Sequence, residues 1–160
     1  MSNNDILRRL RYIFNYNDSL MIELFGKGGE EITHAYLSNW LRREEDEQYL
    51  PMHDHNLATF LNGLIVHLRG TKNGDIPIPE TYLSNNMILR KLKIALALKD
   101  TDMLEIFLLA GRKISKHELS AFFRHPDQAQ YRLCNDQFLR NFLKGVQIWY
   151  KPGKTAEAPF

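Results

Sequence analysis

Asn3–Phe14 reads NNDILRRLRYIF, and Asn85–Leu96 reads NNMILRKLKIAL. The second stretch repeats the first after a shift of 82 residues. Continuing that shift aligns Asn3–Arg69 with Asn85–Lys151 without a gap, and 22 of the 67 paired positions are identical. EEITHAYLSNWLRR faces RKISKHELSAFFRH, and HDHNLATFLNGL faces NDQFLRNFLKGV. Ungapped identity at that level marks a tandem duplication, and a repeat has to be recognised before any element is assigned.

Within each copy the apolar residues recur at helical spacing. Ile6, Leu7, Leu10, Ile13 and Phe14 fall on one face of a helix. Asn3 or Asn4 is placed to cap it. A second helix follows Asp18, read as its cap, and carries Met21, Leu24 and Phe25 up to the glycines of Gly26–Gly29. A third starts at Thr33, matched by Ser115, where Ser115-x-x-Glu118 is a capping box. An irregular charged stretch runs from Arg43 to Pro51, and a fourth helix starts at Asp54. No segment alternates with β-branched enrichment, so a sheet is not expected.

The expected fold is all-α: two tandem four-helix repeats packed as one pseudo-twofold eight-helix unit. Residues 3–69 form repeat 1, 70–84 a linker with Asn73-Gly74, Pro77 and Pro79, 85–151 repeat 2, and 152–160 a flexible tail. A lone repeat has a marginal core, which is why the copies are expected to share one. Gly63 and Gly145 occupy matching places inside the fourth helices, where glycine costs about 1 kcal/mol relative to alanine. Close approach of another helix is the expected reason.

The chain has 160 residues and a net charge of +2, with ordinary globular hydrophobic and charged fractions. Those fractions exclude wholesale disorder, and the single cysteine, Cys134, excludes a disulfide scaffold. No apolar run approaches a membrane span and no signal peptide opens the chain, so a cytoplasmic protein without membrane contact is expected. The charge is unevenly spread. Asn3–Arg69 holds seven Lys/Arg against ten Asp/Glu, whereas Asn85–Lys151 holds twelve against six. A basic half meets an anionic partner, or the acidic half of another copy.

The elements ILRRLRYIF, WLRREEDE, FLNGL, ILRKLKIAL and DQFLRNFLKG resemble the YehS-like bacterial proteins, built of two copies of a domain of unknown function (number 1456). The resemblance spans Asn3 to about Lys151. It implies a bacterial, cytosolic protein with a duplicated domain, and brings no activity, cofactor or catalytic residue with it.

Polar residues kept identical in both copies are candidates for fold maintenance or for a site. Asparagine and aspartate at helix starts are absorbed as caps. Arg42, Gln48 and Tyr49, with Arg124, Gln130 and Tyr131, flank the irregular stretch after the third helices. They either tie that loop down or bind a planar or anionic group. The first helices carry a basic stripe, Arg8, Arg9 and Arg11 against Arg90, Lys91 and Lys93, suited to phosphates. The second and third helices are helix-turn-helix-like, with Lys116 and Arg124 on the candidate recognition helix of repeat 2. Acidic Glu30, Glu31 and Glu44–Glu47 oppose that role in repeat 1. His53-Asp54-His55 resembles a metal-ligand cluster, but repeat 2 has Asn135 and Gln137 in place of the histidines, and no metal or cofactor is expected. No phosphate loop or nucleophile–base motif is present.

The expected function is a non-enzymatic, regulatory binding module. Its first-choice partner is nucleic acid, through Arg8, Arg11, Arg90, Lys93, Lys116 and Arg124. The alternative is a protein partner or self-association. A small-ligand binder or enzyme with a site between the repeats comes third.

Overall fold

The structure, a computed structural model, describes residues 1–150. Among these there are eight α-helices and no strand. Repeat 1 holds α1 (Asn3–Phe14), α2 (Asp18–Lys27), α3 (His34–Leu41) and α4 (Asp54–Arg69). Repeat 2 holds α5 (Asn85–Ala95), α6 (Asp100–Leu109), α7 (Lys116–Phe122) and α8 (Asp136–Trp149). The chain is all-α with two tandem four-helix repeats. It divides into two compact units, Met1–Leu83 and Ser84–Phe160. The stretch 70–84 carries no helix, and the Leu83 N–H at its end donates to Asp54 Oδ2 at 2.9 Å. The tail expected at 152–160 lies outside the described residues.

Helix starts are set by side chains that satisfy the first free N–H groups. Thr33 caps α3, and Ser115 with Glu118 forms the reciprocal box of α7, as their spacing predicts. Two assignments are corrected. Ser2, not Asn3 or Asn4, caps α1, in a box with Asp5; Ser84 takes the same place at α5. Asn17, not Asp18, caps α2, and Asp18 becomes its first residue, paired with Arg11 at 2.6 Å. Both asparagines are thereby released for longer-range work.

That work repeats bond for bond. Asn4 is 1% exposed; its amide nitrogen donates to the carbonyls of Trp40 and Leu50, both at 2.9 Å, and its oxygen accepts from the Met52 N–H at 2.9 Å. In repeat 2 Asn86 donates to Phe122 and Arg132 at 3.0 and 2.8 Å and accepts from the Cys134 N–H at 2.9 Å. One buried amide thus joins the end of the third helix to the far end of the loop that follows. Each of those backbone groups would otherwise lack a partner at a cost of about 1–3 kcal/mol. Asn3 and Asn85 add a bond at 2.8 Å each to Asp54 and Asp136, fixing where the fourth helices begin.

The second and fourth helices of each repeat lie in backbone contact, and glycine makes that distance available. A Cβ on Gly63 would stand 1.7 Å from the Leu24 carbonyl oxygen, and one on Gly145 would stand 2.0 Å from that of Ile106. Gly28 faces the Thr59 carbonyl in the same way, at 2.0 Å. The close approach expected from the sequence is therefore between α4 and α2, and between α8 and α6. Around it pack Leu24, Phe25, Phe60 and Leu64 in repeat 1, and Ile106, Phe107, Phe142 and Val146 in repeat 2, all at most 1% exposed. The turn after each second helix reaches Gly29 (φ 101°) and Gly111 (φ 80°), a left-handed backbone that other residues adopt with strain. Identity at these two positions has a conformational cause.

Candidate functional site

Of the basic stripe Arg9 and Arg90 are exposed and Arg8, Arg11, Lys91 and Lys93 half-buried, and four of its charges are engaged within their own repeat. Arg8 pairs with Asp5, and its Nη1 donates to the Arg42 carbonyl at the end of α3 at 2.7 Å. Arg90 donates to the Phe123 carbonyl at 2.6 Å, at the end of α7. Arg11 pairs with Asp18, and Lys93 with Asp100 at 2.7 Å. Lys93 Nζ also sits 4.9 Å from the centre of the Phe123 ring. These contacts are partly exposed, and an exposed ion pair is worth only about 0–1 kcal/mol. A phosphate can displace such a partner cheaply. Displacing Arg8 or Arg90 costs more, because each also finishes a helix whose last carbonyls need donors.

Arg8 and Arg11 line an open groove of about 730 Å³ with Tyr12, Tyr16 and Asn17. Tyr12 is 73% exposed and Tyr16 is buried. A surface ring beside two guanidinium groups suits a planar or anionic ligand.

The cations on the turn before α7 are differently placed. Lys113 and Lys116 are exposed and make no ion pair among the described residues. Arg124, beyond the end of α7, is half-buried, with a solvent-shielded Nε that has no hydrogen-bond partner among the described residues. Lys144 on α8 is likewise exposed and unpaired among the described residues.

Of the loop residues kept in both repeats, Arg42 uses its side chain within repeat 1, and Gln48 and Tyr49 their backbone. Arg42 donates from Nε to Asn39 at 3.1 Å and pairs with Asp46 at 3.2 Å. Asp46 in turn accepts from the Gln48 N–H at 2.8 Å, and its carbonyl accepts from the Tyr49 N–H at 3.0 Å. In repeat 2 the Gln128 side chain accepts from the His125 N–H at 2.8 Å, and Tyr131 closes the same kind of turn. Gln130 is exposed beside it. Arg42, Gln48 and Tyr49 do not line the groove of Arg8 and Arg11 or the cavity of Glu30 and Trp40.

Among the described residues no three His, Cys, Asp or Glu side chains converge closely enough to hold a metal ion. His53 and His55 are both exposed, and the Asp54 carboxylate between them accepts from Asn3 and from Leu83. Cys134 is fully buried, and that burial, aided by the Asp136 carboxylate, pushes its thiol up to about 12. A thiol so placed is not a nucleophile at neutral pH. Among the described residues no helix is long and apolar enough to cross a membrane.

A second cavity of repeat 1, about 460 Å³, was not anticipated from its sequence alone. Glu30, Glu31, Tyr36, Trp40, His53 and Asn56 line it. Its signal lay in the repeat alignment. Glu30 and Glu31 stand where repeat 2 has Arg112 and Lys113, and Asn56 stands where repeat 2 has Phe138.

Comparison with known proteins agrees with the duplication. The model of the family described as "Protein of unknown function (DUF1456)" matches twice, over residues 3–70 and 85–151. The uncharacterised protein YehS of Escherichia coli (strain K12) is 40% identical over 148 residues, which covers 91% of this chain and 94% of that protein. No solved structure matches the chain.

Proposed function

The chain belongs to the DUF1456 family, and we propose that it is a non-enzymatic, cytoplasmic binding module whose second repeat meets nucleic acid. The contact surface is the turn before α7, the exposed side of α7 and the residues just after it, with Lys113, Lys116 and Arg124 as phosphate contacts. α6 and α7 then act as a helix-turn-helix-like pair laid against a charged backbone.

One observation carries this reading. Lys113 and Lys116 of that surface are exposed and make no ion pair among the described residues, whereas Arg8, Arg11, Arg90 and Lys93 of the first helices are engaged internally. The surrounding charge supports it, since residues 84–160 hold thirteen Lys/Arg against seven Asp/Glu. Repeat 1 is unsuited to the same role, because its aligned turn presents Glu30 and Glu31 and its charge balance is reversed. Arg8, Arg11, Arg90 and Lys93 serve as secondary contacts that exchange a weak internal partner for a phosphate. Contacts of this type give affinity with little sequence choice.

The test is binding of the full chain to labelled duplex DNA and to single-stranded RNA across a salt series. Three phosphate contacts on duplex DNA give a slope of log K against log salt of about −3. Lys113→Glu with Lys116→Glu abolishes binding, while Arg11→Glu weakens it modestly. Absence of binding to either nucleic acid at low salt refutes the proposal. A protein partner is the second reading, and the acidic cavity of repeat 1 is the observation that favours it.

A further inference from the structure

The duplication supplies an internal comparison for the Glu30–Trp40 cavity. In repeat 2 the aligned place is occupied by the protein's own side chains. Phe138, 2% exposed, packs edge-on against Phe122 at 5.2 Å between ring centres. Arg112 lies 4.3 Å and Arg132 lies 4.9 Å from the centre of the Phe138 ring. Arg132 also pairs with Glu118 at 3.1 Å. An aromatic ring, a carboxylate and guanidinium groups thus complete one another.

Repeat 1 keeps one ring of that arrangement, with Trp40 in the place of Phe122, and lacks the groups that fill the space. Phe138 is replaced by Asn56, so no ring fills the space. The two guanidinium positions become Glu30 and Leu50. The aromatic wall is widened: Trp40, 3% exposed, lies 5.8 Å from Tyr36, which is 53% exposed and stands where repeat 2 has Glu118. Glu30 reaches Asn56 through Oε1 at 3.5 Å, while its Oε2 is shielded from solvent and has no hydrogen-bond partner among the described residues. A solvent-shielded carboxylate oxygen with no donor is costly unless a donor arrives.

We propose that this cavity binds the guanidinium group of an arginine side chain on a basic segment of a protein partner. Glu30 and Glu31 supply the carboxylates, and Tyr36 and Trp40 supply the ring faces over which a planar cation settles. Guanidinium is preferred to ammonium because its flat fork both stacks and donates in pairs. The volume of about 460 Å³ accommodates such a side chain with adjoining backbone. The site is separate from the basic surface of repeat 2, so it stands whether or not nucleic acid binds there.

The experiment titrates the full chain with Ac-Gly-Arg-Gly-NH2, its lysine and citrulline analogues, and free arginine, following the Trp40 indole N–H by NMR. The arginine peptide shifts that signal with an affinity on the order of millimolar, as one desolvated side chain allows. Citrulline, which keeps the shape and lacks the charge, does not. A response to free arginine equal to the peptide's assigns the site to a small molecule and overturns the partner assignment. Glu30→Gln weakens the peptide about tenfold or more, the loss of one charge-assisted bond. Asn56→Phe rebuilds the repeat 2 filling and abolishes binding while the amide spectrum stays folded. Equal binding of citrulline, or undiminished binding by Asn56→Phe, refutes the proposal.

Discussion

Replacing Gly63 by alanine sets two effects of opposite sign against each other. In an open helix the change stabilises by about 1 kcal/mol, because alanine is the better helix former. Here the added methyl would stand 1.7 Å from the Leu24 carbonyl oxygen, where ordinary van der Waals contact begins at 3.4 Å. The neighbour is backbone and cannot rotate away, so α2 must retreat from α4 by more than 1 Å, on the order of the missing contact distance. Overpacking costs about 1–3 kcal/mol where side chains can yield, and a backbone wall puts this site at the upper end or beyond. Retreat also loosens Phe25 against Phe60, whose ring centres lie 5.3 Å apart. The net expectation is destabilisation of about 2 kcal/mol. For a unit of this size that lowers Tm by roughly 10 °C. Gly26→Ala is the matched control: it lies in α2 with nothing within 4 Å of its Cβ position, and it should gain about 0.5–1 kcal/mol. Urea and thermal unfolding followed by circular dichroism at 222 nm read both. If Gly63→Ala proves as stable as the parent, the backbone contact is not what glycine serves there.

Asn86→Leu strands two carbonyls and one N–H, and should cost at least about 3 kcal/mol in chemical denaturation, with Asn86→Asp also destabilising because a carboxylate cannot donate. Ser115→Ala removes the hydroxyl that accepts from the Glu118 N–H, leaving only the backbone half of the α7 box, and should cost about 1 kcal/mol, read as a lower urea midpoint with unchanged slope. Cys134 should resist a thiol reagent at pH 8 in the folded protein and react at once in denaturant; fast reaction in native buffer would contradict its burial. Burial raises the affinity of Asp5 for a proton, but the Ser2 N–H, the Ser2 hydroxyl and Arg8 outweigh it and hold the carboxyl below its ordinary value. Its contribution is therefore present above the ordinary carboxylate range and lost as pH falls through the depressed value, so Asp5→Asn should flatten the acid limb of stability below about pH 4.

The residues most legible in the sequence were those with few alternative explanations. Glycine inside an amphipathic helix, twice at the same register, has close packing as its natural cause, and Gly63 and Gly145 show it. The capping box of Ser115 rests on a local spacing that no distant contact alters. Asn4 and Asn86 were misread because an asparagine near a helix start bonds backbone in either case, and spacing does not reveal whose backbone it is. The stripe of Arg8, Arg11, Arg90 and Lys93 was visible as a face, but Asp18 and Asp100, which neutralise two of its members, belong to the following helices. The cavity beside Trp40 was least legible. It arises from what Asn56 fails to fill, and absence of volume leaves no pattern in one repeat read by itself.

The paired asparagines also bear on the order in which the chain comes together. Asn4 waits for partners that follow it by 36 to 48 residues, and Asn86 waits for partners at the same intervals. Either amide fits either set of acceptors, because the two triads are chemically the same. In synthesis from the N-terminus Asn4 and its partners leave the ribosome before Asn86 does, so direction of synthesis removes the competitor. Refolding from denaturant presents both amides together and invites exchange of first helices between repeats or between chains, a recognised failure of tandem architectures. Concentration-dependent slow phases in refolding, absent from the freshly translated protein, would be the kinetic trace of a duplicated key.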